Sequence, residues 1–220
     1  MCICLLFGSE IQAQKLTVYS GLQHNLYFDF LDGNYYESKS SMSAFAGLQY
    51  QHYNSTKDRR ILLGINYQKY NSFEKHIYGG LSGTRDKTYF NKSVLKFDVQ
   101  PIGLHFKEYA YLDFGFGIEY LLSEVFSTYR SSWDINTGQT ITSNPYTESN
   151  SNYSHRVVPL ITGTLGTNFN LSKQLHGIFQ YQFSLSITPE LKYGNTFKSF
   201  WMLGLSLPVT KKINFFYHFV

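Results

Sequence analysis

The feature that most constrains this chain is an alternation of period two that recurs along almost its whole length. From Ala110 the even positions read Ala110, Leu112, Phe114, Phe116, Ile118, Tyr120 and Leu122, and the odd positions between them read Tyr111, Asp113, Gly115, Gly117 and Glu119. From Phe179 the apolar set is Phe179, Tyr181, Phe183, Leu185 and Ile187, against Gln180, Gln182, Ser184, Ser186 and Thr188. From Ile61 it is Ile61, Leu63, Ile65 and Tyr67, against Gly64, Asn66 and Gln68. Successive side chains of a strand point to opposite faces, so each stretch has one apolar face and one small or polar face. No run of about 18 apolar residues occurs, which excludes a membrane-spanning helix.

The alternation predicts strands over 15–31, 42–54, 60–73, 88–104, 109–123, 155–170, 174–188 and 198–209, with a further β-like segment at 212–220. Several exceed the 9–11 residues, about, that cross a bilayer at a tilt. The intervening segments alternate in size. Those near 55–59, 105–108 and 171–173 are short, and those near 32–41, 74–87, 124–154 and 189–197 are longer. Short turns on one rim and long loops on the other describe an all-β, antiparallel, up-and-down transmembrane β-barrel. Eight strands is the preferred count. Ten is the alternative, because nine segments leave an odd number unless Pro208 to Lys212 is a bulge in one long final strand.

Periodicity alone does not say which face is outside, since a soluble lipocalin-like ligand-binding barrel alternates with the faces reversed. Composition favours lipid outside. Charged residues make up 15% of the chain, against roughly 25% in soluble domains. The polar face is mostly Gly, Ser, Gln, Asn and Tyr rather than the Lys and Glu of a water-facing surface. Aromatic residues at 18%, against only 5 Pro, exclude a disordered chain. The formal charge of +4 is scattered, with no basic run longer than Arg59-Arg60 or Lys211-Lys212, so nucleic acid is not an expected partner.

Ile3 to Phe7 reads as the end of an apolar signal core, and Ile11-Gln12-Ala13 as a signal-peptidase site. Residues 1–13 are therefore expected to be a secretory leader remnant and 14–220 a single domain. A basic leader and a longer apolar core are missing, which suits a late start codon or a truncated gene; a short buried first strand is the alternative. Both cysteines, Cys2 and Cys4, fall in the leader, so neither disulfides nor thiolate metal sites are expected. The segment 127–154 holds 16 Ser, Thr or Asn among its 28 residues and reads as an exposed loop.

Val99 to His105 (VQPIGLH), a short turn, and Tyr111 to Ser123 (YLDFGFGIEYLLS) resemble the central hairpin of small Bacteroidetes outer-membrane β-barrel proteins of the porin-family type. The alternating Ile213, Phe215, Tyr217 and Phe219 are similar to the terminal signal read by the barrel-assembly machinery. The resemblance implies integral residence in the bacterial outer membrane, with outer-membrane lipid and that machinery as partners. It brings no catalytic residue and no cofactor.

No His-x-His or His-x-x-x-His pair exists, so no metal site is expected. Gly79-Gly80-Leu81-Ser82-Gly83 lacks the Lys-Ser/Thr of a phosphate loop. Outer-membrane lipid hydrolases or acyltransferases place Ser, His and an acid at the outer rim. Here Ser82, Ser154, His76, His155, Glu74 and Glu148 are the candidates, without a spacing that singles out a triad. The main expectation is a non-enzymatic barrel with a structural role or a binding role through loops 32–41 and 124–154; a small pore is the alternative. The polar face of the 93–119 hairpin is expected to hold an internal ion network of Lys92, Lys96, Asp98, Asp113 and Glu119, with Lys92 or Lys96 near Glu119.

Overall fold

The computed structural model describes residues 13–29, 36–39, 41–54, 59–79, 83–106, 110–134, 136–144, 146–149, 154–172, 174–188 and 194–209. It is all β. The elements are β1 (Ala13–Asp29), β2 (Tyr36–Lys39), β3 (Ser41–Asn54), β4 (Arg59–Gly79), β5 (Gly83–Phe106), β6 (Ala110–Asp134), β7 (Gln139–Thr142), β8 (Tyr146–Ser149), β9 (Val157–Asn170), β10 (His176–Ser186) and β11 (Gly194–Pro208). Among the described residues no helix is long and apolar enough to cross a membrane.

Eight of these strands form a closed antiparallel barrel. β1, β3, β4, β5, β6, β9, β10 and β11 each pair with their neighbour in sequence. The ring shuts where β11 pairs with β1, from Lys15 opposite Pro208 to Asp29 opposite Gly194. Closure leaves no barrel edge with unpaired backbone groups, the condition for strands to cross lipid. The count of eight is reached without 212–220, so the ninth segment expected from the alternation is not needed. That segment, the terminal Ile213, Phe215, Tyr217 and Phe219, the leader up to Gln12 and the stretch 30–35 lie outside the described residues.

The loops required correction. The segment 74–87, expected as a loop, is almost entirely strand: β4 continues to Gly79, which pairs with Gly83 at the start of β5. The segment 124–154, also expected as a loop, begins with eleven more residues of β6 and contains β7 and β8. β8 pairs with β6 at Val125 to Thr128, and β7 pairs with it at Ser131 to Asp134. β2, within the expected 32–41 loop, pairs with β4 from Phe73 to His76. Apolar alternation fades there because the outward face lies beyond the apolar band and the buried inward face mixes Phe126 with Asp86 and Glu124, yet Thr, Tyr and Phe still pair well as strands. β5 and β6, of 24 and 25 residues, extend about 80 Å at roughly 3.3 Å per residue. That is more than twice a bilayer crossing, so a sheet of β2, β4, β5, β6, β7 and β8 stands above one rim.

Two bulges re-aim side chains. At Pro101 the register of β5 against β6 slips between Val99 and Ile102, so both Pro101 and Ile102 face out and Gly103 faces in. Proline lacks the amide hydrogen a ladder needs and belongs at such a bulge. Gly115 lies opposite; a Cβ there would run into the Val99 carbonyl oxygen. At Leu122 a second slip turns Glu124 and Phe126 inward, opposite in parity to Glu119.

Candidate functional site

The polarity of the barrel is inverted relative to a soluble protein. Outward stand Phe116 (64% exposed), Leu203 (62%) and Ile102 (60%), together with Leu16, Val18, Leu48, Ile161, Leu165, Trp201 and Leu205. Inward and buried stand Gln23, Asn25, Asn66, Gln68, Gln100, Thr162, Thr164, Gln182 and Ser184. A lipocalin-like barrel needs an apolar interior for its ligand. This interior is mostly amide, hydroxyl and charge, the arrangement of outer-membrane barrels.

Among the described residues, charges inside the barrel are stacked in four ion pairs. Nearest the short-turn rim, a guanidinium nitrogen of Arg60 lies 3.3 Å from the Asp113 carboxylate, and its carbon sits 3.6 Å from the centre of the Tyr111 ring. Gln180 donates to the Tyr111 hydroxyl. The Tyr111 ring lies over Gly166, where any Cβ would strike it. Next, the Lys96 ammonium lies 3.0 Å from Asp98 and donates to Gln182 and Ser184, at 2.8 Å each. It also lies 4.2 Å from the Phe200 ring centre. Above these, Lys198 binds Glu119 and donates to the Tyr70 hydroxyl at 3.0 Å. Toward the raised sheet, Lys92 lies 3.7 Å from Glu124. Glu124 also accepts the Ser154 hydroxyl at 2.5 Å, tying the start of the return into β9 to the barrel mouth. All eight charged side chains are buried, and four cations face four carboxylates. Buried charge without a partner costs several kcal/mol; pairing each cation with a carboxylate offsets part of that cost.

The five residues expected to form an internal network, Lys92, Lys96, Asp98, Asp113 and Glu119, are all in the interior. Their partners differ from the expectation. Lys96 stands across from Glu119 in register, but turns to Asp98 on its own strand while Glu119 is taken by Lys198 from across the barrel. Only the Lys96–Asp98 pair joins two of the five. Arg60, Glu124 and Lys198 complete the set and were missed: Arg60 opens the predicted strand 60–73 but reads only as half of a short basic run, Lys198 lies on a remote strand, and the bulge at Leu122 hid the parity of Glu124. A lone lysine among the polar positions of β11 was the signal available for Lys198.

A small cavity of about 10 Å³ remains between Tyr19, Gln49, Leu62, Gly64, Asp98 and Gln180, about enough for a single water. Tyr19, Phe45 and Phe200 fill the space beside it, with edge-to-face contacts at 6.1 and 5.3 Å between ring centres.

The candidates for acyl chemistry do not assemble among the described residues. The Ser154 hydroxyl is engaged by Glu124 rather than a histidine, and the adjacent His155 is exposed. Ser82 and the side chains of Glu74, His76 and Glu148 fall outside the described set. Among the described residues no group of three His, Cys, Asp or Glu side chains could hold a metal.

No protein-family model matches the sequence, and no curated protein matches it. Solved structures of similar fold include neisserial surface protein A, 8% identical, covering 87% of this chain and 96% of its own, with a TM-score of 0.37. Ail, the attachment invasion locus protein of Yersinia pestis, is 15% identical over 88% of this chain and 97% of its own, at 0.35. The translocator domain of the autotransporter NalP from Neisseria meningitidis is 8% identical over 91% and 90%, at 0.33. The eight-stranded closure stands on the strand pairing itself.

Proposed function

We propose that this chain is an integral outer-membrane β-barrel without enzymatic activity, whose lumen is a plug and whose raised sheet is a binding platform outside the cell. The observation that carries the reading is the inverted polarity: lipid is the solvent that accepts an aromatic and aliphatic exterior around a charged interior. The barrel is of the small porin-family type that the 99–123 hairpin resembles, and 213–219 is its signal to the assembly machinery. An eight-stranded barrel has an interior about wide enough for side chains to fill, and here Arg60, Lys96, Lys198 and their carboxylates occupy it. The plug reading is therefore favoured over a selective pore.

The folded protein in planar bilayers is expected to give no stable conductance, and its gel mobility is expected to change on boiling. Reproducible single-channel steps altered by Lys96→Ala or Glu119→Ala would replace the plug with a channel. Recovery from cells as a soluble protein of unchanging mobility would end the membrane reading.

Topology gives a second expected result. Gly138 takes a left-handed conformation (φ 64°) at the exposed turn between β6 and β7, with nothing near its Cβ position. An epitope inserted there should be reached by antibody on intact cells. Accessibility only after the outer membrane is broken would invert the assignment of the two rims.

A further inference from the structure

The outward face of the raised sheet differs in charge from its inward face, and the division follows strand register. The apolar band ends at the row Tyr67, Leu95, Tyr120, where Tyr67 bonds Ser93 at 3.3 Å. The next outward row is Lys69, Ser93, Ser123; further up stand Lys87, level with Tyr129, and Arg85, level with Ser131. Arg156 lies 5.9 Å from the ring centre of the outward-facing Tyr120. No Asp or Glu occupies an outward register position of β4 to β8 above the Tyr67 row. Asp86 and Glu124 are buried on the inward face. β2 adds Glu37 across from Lys75, so Lys75 is set aside.

About 20 Å along the strands above the band, by six residues at roughly 3.3 Å each, the outward face is hollowed. A concavity of about 490 Å³ is lined by Lys87, Tyr89, Ser127, Tyr129, Ser131 and Thr142. Tyr89 and Tyr129 meet edge to face at 5.7 Å. Arg130 reaches its margin but is held by Asp86 through two bonds of 2.8 Å. Ring faces, hydroxyls and an ammonium suit a saccharide bearing negative charge: the rings pack on its apolar faces, the hydroxyls match its own, and the cation attracts phosphate.

We infer that this face holds the phosphate-bearing saccharide head group of a glycolipid in the barrel's own outer leaflet. The inference rests on the membrane reading above. Two observations select a lipid in the same membrane over a soluble ligand. The first cation, Lys69, stands in the row directly above the lipid-facing band, and the cations of this face occupy outward positions, which point sideways along the membrane rather than up from the mouth. Lys69 and Arg156, at the edge of the band, meet the phosphate level; Lys87 and the tyrosine pair meet the sugars above it. Basic residues near an anionic membrane surface each add measurably to binding, and salt weakens them.

The test reconstitutes the full chain into phosphatidylcholine vesicles. These contain no glycolipid, phosphorylated lipid A glycolipid with its core sugars, or its dephosphorylated form. The readout is the temperature at which the heat-modifiable band converts. The phosphorylated form is expected to raise the midpoint by about 2–4 °C for each cation engaged, less so in high salt. Lys69→Gln/Lys87→Gln/Arg156→Gln should insert normally and lose that rise. Equal midpoints with phosphorylated and dephosphorylated glycolipid, or an undiminished rise in the triple variant, would overturn the inference. So would the same rise from inorganic phosphate with neutral vesicles, which would make the site one for a free anion. A chain that does not insert into any vesicle would sink the membrane reading instead, and the two failures are thus distinguishable.

Discussion

Arg60→Met is expected to destabilise the barrel by about 3–5 kcal/mol, because it leaves the Asp113 carboxylate buried with its charge uncompensated. The guanidinium lies 3.3 Å from that carboxylate and both side chains are essentially inaccessible, at 1% and 0% exposure. Methionine keeps much of the volume over the Tyr111 ring, so the loss reports charge more than packing. The double variant Arg60→Met/Asp113→Leu removes both desolvation costs and should recover most of the loss. Urea unfolding in lipid vesicles, read as a double-mutant cycle, checks this. A single variant within about 1 kcal/mol of wild type would mean that water reaches the pair.

The second large effect lies on the outer face. Phe116→Arg should cost about 2–4 kcal/mol in a bilayer, because Phe116 points outward between Val99 and Ile161, deep in the apolar band. Leu122→Arg, also outward but beside the Tyr120 row at the edge of the band, should cost only about 0–1 kcal/mol. Were this surface bathed in water, Phe116→Arg would remove an exposed aromatic and be neutral or helpful. The depth dependence is the discriminating measurement. Equal costs at the two positions would argue against a lipid-facing band.

The strand positions were legible because alternation is a local property. Gly115 and Phe116 face opposite ways whatever the rest of the chain does, so the eight barrel strands, among the nine segments read from the alternation, and their apolar faces could be read directly. The raised sheet was not legible. In β4 above Tyr67, and in the upper halves of β5 and β6, the outward face is largely polar or aromatic and the buried inward face mixes Tyr70, Phe90 and Phe126 with Thr88, Asp86 and Glu124, so no clean apolar alternation marks the strands. A Ser- and Thr-rich stretch such as 127–134 looks the same in sequence whether it pairs or wanders.

The interior network was half legible, for a related reason. The sequence by itself determined that Lys92, Lys96, Asp98, Asp113 and Glu119 share the face opposite the apolar one. It also determined that such a face, flanked by so much outward hydrophobic surface, could not be the one in contact with lipid. Only the closed ring decided the partners. Lys198 and Glu119 are 79 residues apart and meet because closure and stagger bring β11 and β6 to the same height across a narrow lumen. Glu124 turns inward only because one extra residue at Leu122 reverses the parity that alternation would extend. Parity is fixed residue by residue, and it survives in the sequence until a bulge intervenes. Distance across a barrel is fixed by the stagger of the whole ring, and no local pattern carries it.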